Sequence, residues 1–242
     1  MTEHRLPDTP FWVDPESVGP DHLTLGPEES HHLLHVHRAR PGTPFQAIDG
    51  EGHFLECVLE SVTRRSAVGR IVERSVDVGE LKRPIDVLVG MPDWSAIEQV
   101  VAHGVPLGVR AFAFFPCERS GRSGVGPQRL ARLVRIARAA LKQSRRSRMP
   151  AIRAPGSFAE AVGSLQPSER IFADPGGNRF ASAGVLSTQG AYSLAVGPPG
   201  GFTEKERLLL LDERFSPISL GPSRLTTETA ALALISLARN AL

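Results

Sequence analysis

From residue 85 to residue 240 short apolar runs alternate with segments of helical period, and this alternation limits the fold more than any other feature of the chain. Strands are expected at 85–90, 110–115, 170–173, 193–197 and 218–220. Helices are expected at 95–103, 127–147, 158–164, 204–212 and 227–240. Consecutive parallel strands need a crossover, and a crossover helix buries its apolar stripe on the sheet. The pattern therefore predicts an α/β fold, a parallel sheet covered on both faces. Upstream the period differs. Residues 45–49, 54–59 and 68–72 read as strands separated by turns such as Asp49-Gly50, which suggests a small β-rich unit with the outline of a barrel. The period changes near residues 77–83, so the expected domains are 1–76 and 77–242.

Two of the later strands end in glycine-anchored turns that open helices. The first is Gly197-Pro198-Pro199-Gly200-Gly201, followed by Thr203 and Glu206 at capping-box spacing. The second is Leu220-Gly221-Pro222-Ser223-Arg224-Leu225, followed by Thr226 and Thr227, either of which can cap the last helix. Glycines between strand and helix leave backbone amides and carbonyls bare to a ligand. The carboxyl edge of a parallel sheet is where α/β folds bind small molecules. Asp174-Pro175-Gly176-Gly177-Asn178 follows another short strand and stands as either a further ligand loop or a plain turn.

The net charge of +2 conceals an asymmetry. Between residues 119 and 153 there are ten Arg and one Lys with no acid, which leaves the rest of the chain at −9. Arg129, Arg132, Arg135, Arg138, Lys142 and Arg146 share one side of the expected helix; Leu130, Leu133, Val134, Ala137 and Leu141 share the other. Such a block repels itself unless a polyanion neutralises it, which points to nucleic acid. Cys57 and Cys117 stand apart, without disulfide or metal spacing. His31, His32, His35 and His37 have no companion carboxylate or thiol cluster, so no metal is expected. No apolar run approaches the roughly 20 residues of a membrane span. The amino end has no apolar signal core, so a cytoplasmic location is expected.

Gly197-Pro-Pro-Gly-Gly-Phe-Thr203 with Glu206, and Ser219-Leu-Gly221 with Leu225 and Thr227-Glu-Thr-Ala230, resemble the uracil-N3 methyltransferases of small-subunit ribosomal RNA. So do His31-His-Leu-Leu-His-Val-His-Arg38, Asp49-Gly-Glu-Gly52, Glu118-Arg-Ser120 and Gln143-Ser144 with Arg148 and Pro150, in the same order along nearly the whole chain. The resemblance implies a SPOUT-class domain with a carboxyl-terminal trefoil knot around S-adenosylmethionine, preceded by a PUA-like RNA-binding barrel. It implies methylation of N3 of a uridine in 16S ribosomal RNA, the family target being uridine 1498. The substrate would be that RNA or the assembled small subunit, and the enzyme a homodimer without metal. The implied cofactor residues are Val196, Gly197, Gly200, Gly201, Leu220, Gly221, Leu225 and Thr227. The expected RNA contacts are Arg38, Arg119 and Arg148, which lie in the resembling motifs, and Arg135, Arg138, Lys142 and Arg145 of the acid-free block.

This chain departs from the family at four positions: Pro199 replaces Glu, Thr226 replaces Arg, and His103 and Pro106 replace a Lys and a Glu. Loss of the arginine removes the cation best placed to stabilise a uracil anion. Arg224, two residues earlier, is the candidate substitute, and Glu228 is the surviving carboxylate. A non-catalytic RNA-binding relative that keeps the fold is the alternative reading.

Overall fold

The computed structural model describes residues 9–63, 66–121, 124–163, 165, 168–179 and 190–240. The chain divides into two compact units: Met1–Glu80 with Arg138–Met149, and Leu81–Ala137 with Pro150–Leu242. The first break lies four residues beyond the expected 76/77 boundary, and a segment from the middle of the chain joins the amino-terminal unit.

In the first unit, β1 (Phe11–Trp12), β2 (His22–Thr24), helix α1 (Pro27–His31), a π-helical turn (His32–Val36), β3 (Pro44–Ile48), β4 (His53–Val62) and β5 (Ala67–Val76) follow in order. The strands form one sheet in the order β1-β3-β4-β5-β2. Phe45, Ala47, Leu55, Cys57 and Leu59 project into a core with Phe11, Leu23, Leu25 and Leu33. Ser30, buried at 2% exposure, seats α1 by donating to Leu25 O and accepting from Ala67 N. The other face of β3 carries buried Gln46, whose Oε1 accepts from Arg145 at 3.0 Å. Arg145 also lies 5.5 Å over the Phe54 ring, so residues 138–149 cover a sheet face that would otherwise be open. Asp49 closes the turn before β4 by accepting from the Glu51 and His53 amides, while Gly50 takes a φ of 79° there.

The second unit contains β6 (Ile85–Gly90), α2 (Trp94–Gly104), β7 (Val109–Phe115), the start of α3 (Pro127–Ser144), β8 (Ala151–Arg153), α4 (Phe158–Gly163), β9 (Ser168–Arg179), β10 (Ala191–Val196), α5 (Glu204–Asp212), β11 (Ser216–Ser219) and α6 (Thr227–Asn240). The sheet order is β11-β9-β10-β6-β7-β8 and every pairing is parallel. β6 and β10 are buried throughout, which is why both read as continuous apolar runs rather than alternating ones. Leu88, Ala113, Phe172 and Ala195 face one side and pack with Ala161 and Val162 of α4 and Leu210 of α5. The alternate residues face the other side, where α2 and α6 lie. Gly104 of α2 comes so close to Phe112 that an added Cβ would sit 2.8 Å from its ring.

Two expectations need correction, and four short elements escape the sequence pattern. Helix α3 stops at Ser144 rather than 147, where Arg145 takes a left-handed φ of 57°. β1, β2, α1 and β8 were too short to show a period. Asp174–Asn178 is no separate loop after a strand: it lies inside β9 as a bulge, since Phe172 pairs with Pro217 while Asn178 pairs with Ile218. Gly177 is required there because a Cβ would stand 2.6 Å from the Pro217–Ile218 peptide. Asp174 is occupied with holding the bulge, accepting from Gly176 N at 2.7 Å and Arg207 Nε at 2.6 Å.

Candidate functional site

The first glycine turn leaves the carboxyl end of β10. Gly201 N donates to Pro198 O at 2.7 Å, and Gly201 takes a φ of 70° that a Cβ would strain. Thr203 and Glu206 form a full capping box at the start of α5, as the spacing predicted. The second turn leaves β11 and bends at Gly221, whose φ is 112°. Thr226, not Thr227, caps α6: Ala230 N donates to Thr226 O, and the Thr226 and Thr229 hydroxyls lie 2.9 Å apart. That leaves the buried Thr227 hydroxyl to donate to Gly197 O at 3.1 Å, which ties the two turns together. The expected cofactor residues Gly197, Gly200, Gly201, Gly221 and Thr227 are therefore held in one assembly with Val196, Leu220 and Leu225 flanking them.

A third segment joins this assembly, and nothing in its composition announced it. Arg119 Nη1 donates to Gly200 O at 3.0 Å and to Phe202 O at 3.5 Å. Glu206 uses Oε2 in the capping box and Oε1 to accept from Glu118 N at 2.8 Å. Ser120 Oγ accepts from Cys117 N, and a Cβ on Gly90 would stand 2.7 Å from both Cys117 Sγ and Pro198 Cδ. Burial, with the Glu206 charge beside it, pushes the Cys117 thiol up to about 12, so it is neutral packing here and no nucleophile. Resemblance pointed to Glu118–Ser120; its mechanical link to the glycine turn appears only in the fold.

Arg224 is exposed and its Nη2 lies 3.4 Å from Pro199 O. Glu228 is half-buried in the first turn of α6, with no hydrogen bond or ion pair among the described residues. His103 lies in the last turn of α2, and Pro106 O accepts from Arg239 Nη1 at 3.1 Å, so that replaced position now serves the last turn of α6.

The basic block is less bare than its sequence suggests. Among the described residues four cations of the block are paired within their own unit: Arg132 with Glu98, Lys142 with Glu29 at 2.5 Å, Arg146 with Glu80 at 2.6 Å, and Arg148 with Asp77. For these four, acids far away in sequence do the neutralising, and the rest of the block stays available to a polyanion. Arg138 stacks 4.2 Å over the Trp12 ring and Arg129 4.9 Å over Trp94. Arg38, in the left-handed region at φ 54°, and Arg135 are exposed without a partner among the described residues. Arg119, Arg138 and Arg145 likewise meet no acid among the described residues, so of the expected RNA residues only Lys142 and Arg148 are neutralised. His31 and His35 stack at 4.6 Å, and no group of three metal-binding side chains occurs among the described residues.

The assembly fits S-adenosylmethionine. Gly197, Gly200 and Gly201 add no side chain to the turn, the space beside Gly201 is open to 4 Å, and positive-φ glycines shape both turns. The apolar flanks suit an adenosine, and bare amides and carbonyls suit its polar edge.

Comparison with known proteins agrees with this geometry. A family model described as an RNA methyltransferase domain matches residues 79–239, and one described as an RNA methyltransferase PUA domain matches residues 25–72. The ribosomal RNA small subunit methyltransferase E of Synechocystis sp. is 29% identical over 234 residues, covering 93% of this chain and 76% of the relative. Its Bacillus subtilis counterpart is 28% identical over 220 residues, 86% of each chain. A probable rRNA-methyltransferase from Porphyromonas gingivalis superposes with a TM-score of 0.80 at 26% identity, covering 96% of this chain and 97% of that one. The likeness of fold extends to the Neisseria gonorrhoeae ribosomal RNA small subunit methyltransferase E bound to S-adenosyl methionine, with a TM-score of 0.83 at 24% identity over 96% and 97% of the two chains.

Proposed function

Because the chain belongs to the RNA methyltransferase family, we propose that it transfers the methyl group of S-adenosylmethionine to N3 of a uridine in 16S ribosomal RNA. The observation that carries this reading is the Thr227–Gly197 hydrogen bond, which joins two side-chain-free turns at the carboxyl edge of a parallel sheet. When bound, S-adenosylmethionine supplies an electrophilic methyl on a sulfonium sulfur. Gly197, Gly200, Gly201, Leu220 and Gly221 would hold it through their backbone, with Val196, Leu225 and Thr227 behind.

The residues of the chain orient the uracil and manage one proton. N3 carries hydrogen in neutral uracil, and Glu228, unpartnered in the first turn of α6, takes that proton in this proposal. Arg224 brings a positive charge to the anion that remains, the task of the arginine missing at Thr226. A base-paired N3 is inaccessible, so the target is single-stranded or flipped from its stack.

A trefoil knot at the carboxyl end belongs to the same proposal. The strand order supports it, since the chain leaving β10 returns beyond β9 to form β11. A homodimer is supported by α6, which buries Ala231, Leu234, Ile235 and Ala238 yet leaves Leu237 exposed, and by exposed Leu208, Leu209 and Leu211 on α5. A cytoplasmic location follows from a ribosomal substrate; no described helix is long and apolar enough to cross a membrane. Incubating purified protein, labelled S-adenosylmethionine and small subunits from cells lacking the gene, then mapping methylated uridines, tests the reading. Methyl incorporation at one uridine N3 is expected, and none with either subunits or free 16S RNA overturns it.

A further inference from the structure

Most arginines of this chain that make polar contacts answer to an acid. Arg110 binds Asp86, Arg132 binds Glu98, Arg146 binds Glu80, Arg170 binds Glu213 and Arg207 binds Asp174. Among the described residues Arg74, Arg145 and Arg239 each meet only a neutral partner, singly and far apart, whereas two such arginines converge on the glycine turn. Arg119 reaches Gly200 O and Phe202 O, and Arg224 reaches Pro199 O. These partners are neutral carbonyls, so each guanidinium keeps its full charge. The two side chains come from loops more than 100 residues apart in sequence, yet they end on consecutive residues of one turn.

Glu206, the carboxylate at the start of the helix that follows this turn, spends both oxygens on Thr203 and the Glu118 amide. Bringing two unneutralised like charges to one exposed turn opposes folding, and one neutral hydrogen bond, worth about 0.5–1.5 kcal/mol, is a weak reason to do so. An anion bound between them removes the repulsion. A guanidinium has five donors, and the turn occupies only Nη1 of Arg119 and Nη2 of Arg224, which leaves the rest to grip oxygen atoms. Both residues are exposed, so a phosphate on the outside of an RNA strand can reach them, and a base next to that phosphate still lies within the field of Arg224.

We infer that Arg119 and Arg224 form one clamp for a single phosphodiester of the RNA, at the outer lip of the turn that holds the cofactor. The clamp deepens the methyltransferase reading, because a phosphate fixed there sets how far the adjoining base can enter. It also gives Arg224 a partner that was not evident in sequence, and moves Arg119 from a general basic surface to a defined subsite.

The test is a double-substitution cycle on the full chain with Arg119→Ala, Arg224→Ala and both together, using a fluorescent single-stranded oligouridylate as the RNA. Affinity is read by anisotropy across a salt series, and S-adenosylmethionine affinity by calorimetry. Each single change should weaken RNA binding about tenfold or more, as loss of a charged hydrogen bond does. It should also reduce the salt slope by about 0.7, the share of one phosphate on a single strand. The double variant should lose little beyond either single one, because half a clamp holds the phosphate poorly. Arg119→Lys should restore the slope but only part of the affinity. Multiplying losses with a slope that falls twice overturn the shared clamp, as does unchanged RNA affinity. Cofactor affinity falling in step with RNA affinity also overturns it, since the arginines would then only brace the turn. The binding assay needs no turnover, so an inactive wild type refutes the proposed reaction without touching the clamp, and the reverse also holds.

Discussion

Replacing Gly197 with alanine isolates the cofactor turn from every other part of the molecule. Gly197 has no left-handed φ, so alanine fits its backbone and only space is at issue. The new Cβ would lie 3.0 Å from Phe202 N and 3.3 Å from Gly201 C and Cα. Carbon contacts settle near 3.5–4.0 Å, so the turn must open by about half an ångström. All three obstacles are backbone, and three bonds resist their movement: Gly201 N to Pro198 O, Arg119 to Gly200 O, and Thr227 to Gly197 O. Overpacking of this kind costs about 1–3 kcal/mol. If S-adenosylmethionine requires the closed turn, that cost is taken from its affinity, and the Kd rises about 5- to 150-fold. Calorimetric titration of S-adenosylmethionine measures it, with thermal unfolding to confirm that the fold survives. S-adenosylhomocysteine should weaken equally, because the turn does not discriminate on the methyl. Gly26→Ala, where no atom lies within 4 Å, should change nothing. An unaltered Kd in a folded Gly197→Ala protein would place the cofactor elsewhere and refute the reasoning.

Other consequences are as direct. Lys142→Ala breaks the part-buried pair with Glu29 and should lower Tm by about 3–10 °C, whereas exposed Arg135→Ala should leave Tm unchanged and weaken RNA binding. Thr227→Val keeps shape but strands Gly197 O, so cofactor affinity should fall about five- to tenfold in calorimetry with the fold intact. Cys57 and Cys117, both pushed by burial to about 12, should resist iodoacetamide at pH 8 by mass spectrometry; rapid alkylation would mean that these packed regions open readily. Since those thiols titrate in the unfolded chain near 9.0 but in the folded one near 12, stability should decline as pH rises through that interval, and a flat stability profile there would contradict the burial. Light scattering at micromolar concentration should give twice the chain mass; an active monomer would refute the homodimer.

The alternation of apolar runs with helical segments determined the parallel α/β unit by itself, because each crossover helix must bury its stripe and each central strand must be apolar on both faces. β6, α5 and α6 were legible to the residue, and the capping box of α5 followed from Thr203 and Glu206 alone. Glycine identity in the two turns was equally legible, since few other residues take a φ of 70° or 112°. What stayed hidden were partnerships across long sequence distances. Nothing local distinguishes Lys142, which pairs with Glu29, from Arg135, which faces solvent, because helical periodicity gives a face and not its neighbour. The assignment of residues 138–149 to the amino-terminal unit was invisible for the same reason: α3 is one uninterrupted helix, and only the face of β3 that Arg145 covers at Gln46 determines where its end belongs. The tertiary structure alone brought Arg119 and Arg224 to one turn, since strand order, and not sequence order, sets which loops share an edge of the sheet.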